Sequence, residues 1–402
     1  MRGIAWGAGL ALAASALVWT ALGGPGAPAS TPAPVIAARS PNVATLTASD
    51  TAAGVRGAPF ASAGAPGRND QRALWTARLD HAQAALAAYR ESTRYPPGSR
   101  PIAEHPDQLQ PNDPIAEEHA LARPGSNEDG GATLLTTQER IYVQGSESVR
   151  FTLAARDREG RSLPLQVQQA SARELPAPNV PSRFPVVPVA FVDDGSGADV
   201  RAGDGIVSAR FTPQAQGFAD LAGQIRIEAM LQIRGQPGST YFDVYYTPEA
   251  PAAWQGGVRE AVVDGSLDFI LKAQVARPGR YVVSARVDDA SGRPIALLGF
   301  NEELAVGPQE IRLTVFGKLL RDAAPAFPLT LRDIDGFLLH PDTFPDRSLM
   351  ARRIGAVHVS QSYPLTSFSP AEWSAEIRDR YLTELSRDVT TAREQVDRLG
   401  GK

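Results

Sequence analysis

Residues 267–287 read Leu-Asp-Phe-Ile-Leu-Lys-Ala-Gln-Val-Ala-Arg-Pro-Gly-Arg-Tyr-Val-Val-Ser-Ala-Arg-Val. Apolar side chains recur at Leu267, Phe269, Leu271, Ala273 and Val275, and again at Tyr281, Val283, Ala285 and Val287. A period of two marks a strand with one buried face. Between the runs stand Pro278 and Gly279, residues that pre-set a turn, so the stretch predicts a β-hairpin. Residues 288–293, Asp-Asp-Ala-Ser-Gly-Arg, supply the next turn. A strand is expected over 294–300, and two more around Ile311, Leu313 and Val315 and around Leu329 and Leu331. Gly317 and Lys318, followed by Leu319, read as a strand end.

The alternation is repeated upstream. Val149, Phe151 and Leu153 share a face, as do Ile225, Ile227, Ala229, Leu231 and Ile233 opposite Arg226 and Glu228. Residues 241–246 read as another strand. Residues 247–252 carry prolines that cannot join a ladder and read as an interdomain link. The fold predicted is mainly β, with two tandem immunoglobulin-like β-sandwiches at 136–250 and 251–362.

Helical spacing flanks the β region. At 69–95 Leu74, Leu79, Leu86 and Tyr89 interleave with Ala82 and Ala85, after a cap at Asn69 or Asp70 and before Pro96 and Pro97, predicting a short N-terminal helix. An amphipathic C-terminal helix is expected within 363–402, capped by Ser369 with Pro370 first. Its apolar face is Trp373, Ile377, Tyr381, Leu385, Val389, Ala392, Val396 and Leu399. Fewer than four heptads fit, so docking on the second sandwich is expected over a dimerising coiled coil. Residues 96–135, rich in proline and acids, predict an extended segment, ordered in part.

At the N-terminus Met1 and Arg2 precede an uncharged run over 4–22 and the triplet Ala27, Pro28, Ala29. That order is an export signal, so 1–29 is a signal peptide or an N-terminal anchor. Residues 30–68, an Ala/Pro-rich linker, cannot build a core and are expected to be disordered. The chain is therefore expected in the periplasm, on the outer surface or secreted, touching a membrane only through 4–22 if that run is uncleaved.

Composition narrows the function. The 402 residues, about 150 per folding unit, carry a net charge of −4, too balanced for a nucleic-acid binder. Glycine (36) and proline (33) exceed usual usage and point to turns and linkers. The absence of cysteine excludes disulfides, thiolate metal sites, thiol nucleophiles and a lipidated N-terminal cysteine.

One loop carries chemistry. Asp193, Asp194, Asp199 and Asp204 alternate with Gly195, Gly197, Gly203 and Gly205. Calcium takes six to eight oxygens, and bendable backbone with four carboxylates can wrap it, although no glutamate completes an EF-hand spacing. The same residues also build tight turns without a metal. Asp-Asp-Gly-x-Gly-x-Asp followed by Gly-Asp-Gly-Ile-x-Ser resembles the loop of bacterial choice-of-anchor and related immunoglobulin-like surface domains, and of the β-sandwich segment of calcium-activated chloride channel regulators. Val207 stands where those families carry tyrosine. Residues 261–331 are similar, more loosely, to the second sandwich of such proteins. The overall plan is similar to an uncharacterised family of exported bacterial proteins. The resemblance implies a secreted or surface-displayed modular protein and no particular reaction.

A Gly-x-Ser-x-Gly elbow, a His-Glu-x-x-His helix and a phosphate-binding Gly-Lys-Ser/Thr loop are absent from the sequence. His81, His105, His119, His340 and His358 are scattered, and only the last two are placed to share a domain. Asp288/Asp289, Glu302/Glu303 and Asp333/Asp335 are carboxylate pairs that read as solvated turn acids. No catalytic or cofactor-binding residue is predicted. The reading is a non-enzymatic interaction or structural module of the cell envelope, stiffened by calcium if the loop binds it, with a protein or envelope polysaccharide as partner. Two alternatives stand beside it: an envelope hydrolase acting on polysaccharide or peptide, and a membrane-anchored accessory or assembly factor.

Overall fold

The computed structural model describes residues 67–122 and 129–401. The expected signal or anchor and almost all of the linker lie outside them. The order is α1 (Arg68–Ser92), β1 (Ser99–Pro101), β2 (Ile115–Ala122), β3 (Asp129–Gln138), β4 (Tyr142–Gln144), β5 (Val149–Asp157), β6 (Ser162–Leu163), β7 (Leu165–Glu174), β8 (Val187–Pro188), β9 (Val207–Phe211), β10 (Gly223–Ile233) and β11 (Gln236–Thr247). Then come β12 (Ala252–Val263), β13 (Ser266–Val275), β14 (Gly279–Asp288), β15 (Pro294–Leu304), β16 (Gly307–Val315), α2 (Gly317–Ala323), β17 (Thr330–Leu339), β18 (Arg347–Leu349), β19 (Arg353–Val359) and α3 (Glu376–Gly400). The chain is mainly β.

The strands form two sandwiches. In the first, a sheet ordered β2-β3-β5-β6, with β9 beside β5, faces one ordered β4-β11-β10-β7-β8. Phe151, Leu153, Phe211, Ile225, Ile227 and Val244 fill the space between them. In the second, β1-β15-β14-β17-β18, with β19 beside β17, faces β12-β13-β16. Leu267, Phe269, Leu271, Tyr281, Val283 and Leu313 meet there. These are the inward positions of the two-residue period, because successive side chains on a strand point to opposite faces.

Four local expectations are corrected. Residues 96–135 contain strands rather than one extended run: β1 pairs with β15, Ser99 opposite Leu298, and β2 and most of β3 belong to the first sandwich, which therefore begins before residue 136. Lys318 and Leu319 lie in α2, whose Leu319 and Leu320 are buried, and not at a strand end. The C-terminal helix starts at Glu376, leaving Ser369 and Pro370 outside it. Ser369 is held by its N–H to the Gly265 carbonyl at 2.9 Å. Asp70 is the third residue of α1, and its carboxylate accepts the Gly67 N–H at 3.2 Å.

α3 packs on α1 instead of on the second sandwich. The pair runs antiparallel: the Arg68 guanidinium donates to the carbonyls of Leu399 (3.1 Å) and Gly401 at one end, and Arg378 Nε donates to Thr93 Oγ1 (3.1 Å) at the other. Tyr89 and Tyr381 lie with ring centroids 5.7 Å apart, and Ala392 is fully buried in the seam.

Residues 102–114 form a strap that ties the sandwiches together. It leaves β1 on the second, crosses the face of β14 and β17, and enters the first at β2. Arg286 on β14, 2 % exposed, donates through Nε and Nη2 to the Gln108 carbonyl (3.1 Å) and side-chain oxygen (2.7 Å). Arg332 on β17 donates to the Leu109 carbonyl, and Asn112 to Asp333 Oδ1. A second tie is Arg352, which pairs with Asp335 at 3.2 Å and Glu147 at 3.6 Å and donates to the Tyr142 carbonyl. Beside it Arg347 lies between the rings of Tyr142 and Phe337, and Phe344 packs edge-on against Tyr245.

Candidate functional site

The acidic loop connects β8 to β9 and is pinned by the pair Val192 and Ser208, which exchange backbone hydrogen bonds of 2.9 and 2.8 Å. Its turns need left-handed backbone, and glycines provide it at Gly195 (φ 72°) and Gly203 (φ 71°). Asp193 gathers the far end of the loop: Oδ1 accepts the N–H of Gly203 (2.6 Å) and Asp204 (3.2 Å), and Oδ2 that of Gly205 (3.0 Å). Asp199, 7 % exposed, accepts the Gly195 N–H at 2.6 Å. Asp204 accepts the N–H of Ile206.

One oxygen each of Asp193, Asp199 and Asp204 lies within 4.8 Å of the others, so these three can hold a metal ion. Asp194 stands outside the convergence. Its Oδ1 accepts the Ser196 hydroxyl (2.7 Å) and N–H (2.9 Å), and these bonds hold its carboxyl below the usual carboxylate range. Both readings of the loop therefore have a physical basis: the carboxylates cap turns, and three of them face one point.

Of the three carboxylate pairs, Glu302/Glu303 is exposed on β15 as a solvated pair, whereas the acids of the other two are engaged by protein groups rather than by solvent. Asp289 accepts the Ser291 hydroxyl and the N–H groups of Ser291 and Arg293, and pairs with the Arg293 guanidinium at 3.1 Å, so its carboxyl is held far below the usual range. Asp288 pairs with Arg332 at 2.5 Å. Asp333 sits at a bulge of β17 with φ 50°. From there it takes the Asn112 amide, Arg332 and the Gly355 N–H. Asp335 pairs with Arg286 and Arg352, while burial pushes its carboxyl up. Asp333 and Asp335 thus flank the buried Arg286 beneath the strap, and Asp288 joins the cluster through Arg332. The sequence offered no sign of this cluster beyond charged residues at odds with an inward strand pattern.

His340 and His358 are not brought together. His340 Nε2 lies 2.8 Å from Ser348 Oγ in the β17–β18 turn. His358 Nε2 lies 2.7 Å from Glu260, which also accepts the Gln361 N–H and the Tyr363 hydroxyl. Burial opposes the charge on Glu260, but these hydrogen bonds prevail and hold its carboxyl below the ordinary value.

No protein-family model and no curated protein matches the chain. Among solved structures, it is similar to a DUF4785 family protein from Legionella pneumophila at 14 % identity and a TM-score of 0.38, over 57 % of this chain and 58 % of that one. It is similar to dimeric latent PorU from Porphyromonas gingivalis at 13 % identity and a TM-score of 0.17, over 62 % of this chain and 20 % of that one. It is also similar to FdeC, an Escherichia coli adhesin, at 14 % identity and a TM-score of 0.19, over 60 % of this chain and 86 % of that one. The chain thus spans little more than half of the Legionella protein and a fifth of PorU.

Proposed function

We propose that the chain is an exported bacterial envelope protein whose two sandwiches, immunoglobulin-like in plan, form a rigid non-enzymatic interaction module. One observation carries the reading. The acids and arginines that a hydrolase would turn toward a substrate are here turned toward one another, across the strap and across the junction of the sandwiches. Arg286, Arg332 and Arg352 spend their donors on fixing β17 to β14, to residues 108–112 and to the first sandwich. That is an arrangement for holding surfaces in register, the task of a module that presents or captures a partner.

The test is the fate of the chain in its cell and on substrates. Recovery from the envelope or medium, with a mature N-terminus near residue 30 or with 4–22 retained in the membrane, is the expected outcome. Recovery from the cytoplasm with Met1 in place would overturn export. Turnover of envelope polysaccharide or peptide, abolished by a single change such as Asp335→Asn, would overturn the non-enzymatic reading.

Calcium at Asp193, Asp199 and Asp204 is the stiffening element of this proposal, with Asp194 outside the ligand set. Binding to the folded state alone stabilises by about 2.7 kcal/mol at a hundredfold excess over Kd. Thermal unfolding of the full chain is therefore expected to shift up by several degrees in calcium relative to chelator. Asp199→Asn should lose that shift and Asp194→Asn should keep it. Equal melting of the wild type in calcium and chelator would reduce the loop to a set of capped turns.

A further inference from the structure

A cleft of about 330 Å³ lies on the outer face of the sheet that holds β3, β5 and β9, where the strap enters the first sandwich. Asn112, Pro114, Thr137, Glu139, Arg150 and Arg210 line it. Arg150 on β5 and Arg210 on β9 are directly opposite one another across the two strands. Both point outward, because their neighbours Val149, Phe151, Ala209 and Phe211 fill the core. Like charges so placed repel at a separation of about 5 Å between Cβ atoms.

Among the described residues neither guanidinium forms an ion pair. Arg150 reaches a neutral oxygen, the Ala198 carbonyl, at 3.5 Å, and Arg210 reaches Ser148 Oγ at 3.0 Å. The one acid in the lining is already matched: Glu139 pairs with Arg140 at 2.7 Å and its other oxygen accepts the Arg150 N–H at 3.1 Å. Among the described residues the cleft therefore holds two guanidinium groups without an ion-pair partner. Beside them stand the Thr137 hydroxyl, which shares a hydrogen bond with Thr152, and the side-chain oxygen of Asn112, whose nitrogen is engaged by Asp333. Nothing in the lining is a large apolar side chain. The volume is at the small end of ligand pockets, which start at about 300 Å³.

We propose that this cleft binds an acidic saccharide. A carboxylate matches the guanidinium fork and relieves the repulsion between Arg150 and Arg210. Thr137, Asn112 and Glu139 present the alternating donors and acceptors that sugar hydroxyls require. The proposal deepens the interaction-module reading and rests on it only for the source of the saccharide.

The probe is an oligogalacturonate, titrated calorimetrically into the full chain beside neutral galactobiose and inorganic phosphate. The expected result is binding that weakens as salt rises and is about tenfold or more weaker for galactobiose. Arg150→Gln and Arg210→Gln should each lose about tenfold or more, the worth of a charged hydrogen bond. Arg156→Gln, an exposed change on β5 outside the lining, should bind as the wild type does. Arg210→Gln is expected to melt no lower than the wild type because it removes a like-charge pair, so loss of affinity there reports the site and not the fold. Failure of the wild type to bind, equal binding of galactobiose, binding unaffected by both arginine changes, or phosphate binding as tightly as the oligogalacturonate would each overturn the assignment. A chain recovered from the envelope that fails to bind sinks the cleft alone. A chain that binds and then cleaves the probe leaves the cleft standing and sinks the non-enzymatic reading.

Discussion

Arg286 is a full charge inside a sheet, and its donors are answered by Gln108, the Asp333 carbonyl and Asp335. Removing one partner of such a cluster leaves the others buried and unmatched, at a cost of about 3–5 kcal/mol. Arg286→Met should therefore lower the free energy of urea unfolding by that amount. A loss under about 1 kcal/mol would show that the strap holds without it. Asp289 offers a test by pH. Its folded-state carboxyl lies far below the ordinary value of 3.8, since the Ser291 hydroxyl, the Arg293 guanidinium and two N–H groups all favour the ionised form. A depressed carboxyl contributes stability that is present in full above the ordinary value and is lost as pH falls through the folded one. Asp289→Asn should consequently be less stable than the wild type at neutral pH, with the difference shrinking as pH falls below about 4. A difference that stays constant from neutral to acid would mean that the turn does not depend on the charge.

Among the elements, α2 is held in a place with no room to spare. A Cβ on Gly317 would fall 1.9 Å from the Gly265 carbonyl oxygen and 2.8 Å from the Ser369 nitrogen. Gly317→Ala should thus force three chain segments apart and destabilise by about 1–3 kcal/mol in thermal or urea unfolding; an unchanged midpoint would mean that the contact yields freely. That crossing also explains why α2 was not legible: its cause lies in residues 265 and 369, far along the chain. Strands with clean alternation, such as β10, were legible because burial and spacing agree, and β13 was legible from its apolar spacing although Ser266, Asp268 and Ile270 on its other face are buried as well. β3 was not, since its inward positions include Thr136 and Gln138. Gln138 is tolerated there because it donates to the carbonyls of Arg140 and Asp243. β12 was hidden by Gly256 and Gly257 at a bulge and by two half-exposed faces. In the loop, the convergence of Asp193, Asp199 and Asp204 was readable because local turns create it. The opposition of Arg150 and Arg210 depends on strand register and was not. α3 showed its apolar face but not its partner, because a stripe of that kind fits a helix as well as a sheet.

For the whole molecule, the strap and Arg352 make the two sandwiches one mechanical unit. Calorimetry should record a single unfolding transition in the wild type and a broadened or split one in the double variant Asn112→Ala, Arg352→Ala, which removes the Arg352 tie and one side-chain anchor of the strap while Arg286 and Arg332 still hold residues 108–109. Two transitions already in the wild type would show the sandwiches to be independent. A fragment spanning residues 136–350 lacks β1, β2 and most of β3, so it should fold poorly, as judged by near-ultraviolet dichroism. The helical pair carries a consequence of a different kind. Arg68 meets Leu399 across 331 positions of chain, and β1 waits for β15. Contacts of such long range come late, since loop closure must precede them. A polypeptide delivered N-terminus first therefore keeps α1 without its helical partner until α3 emerges, well after β15 has become available to β1, and the clasp of α1 by α3 times the completion of the fold to the arrival of that helix.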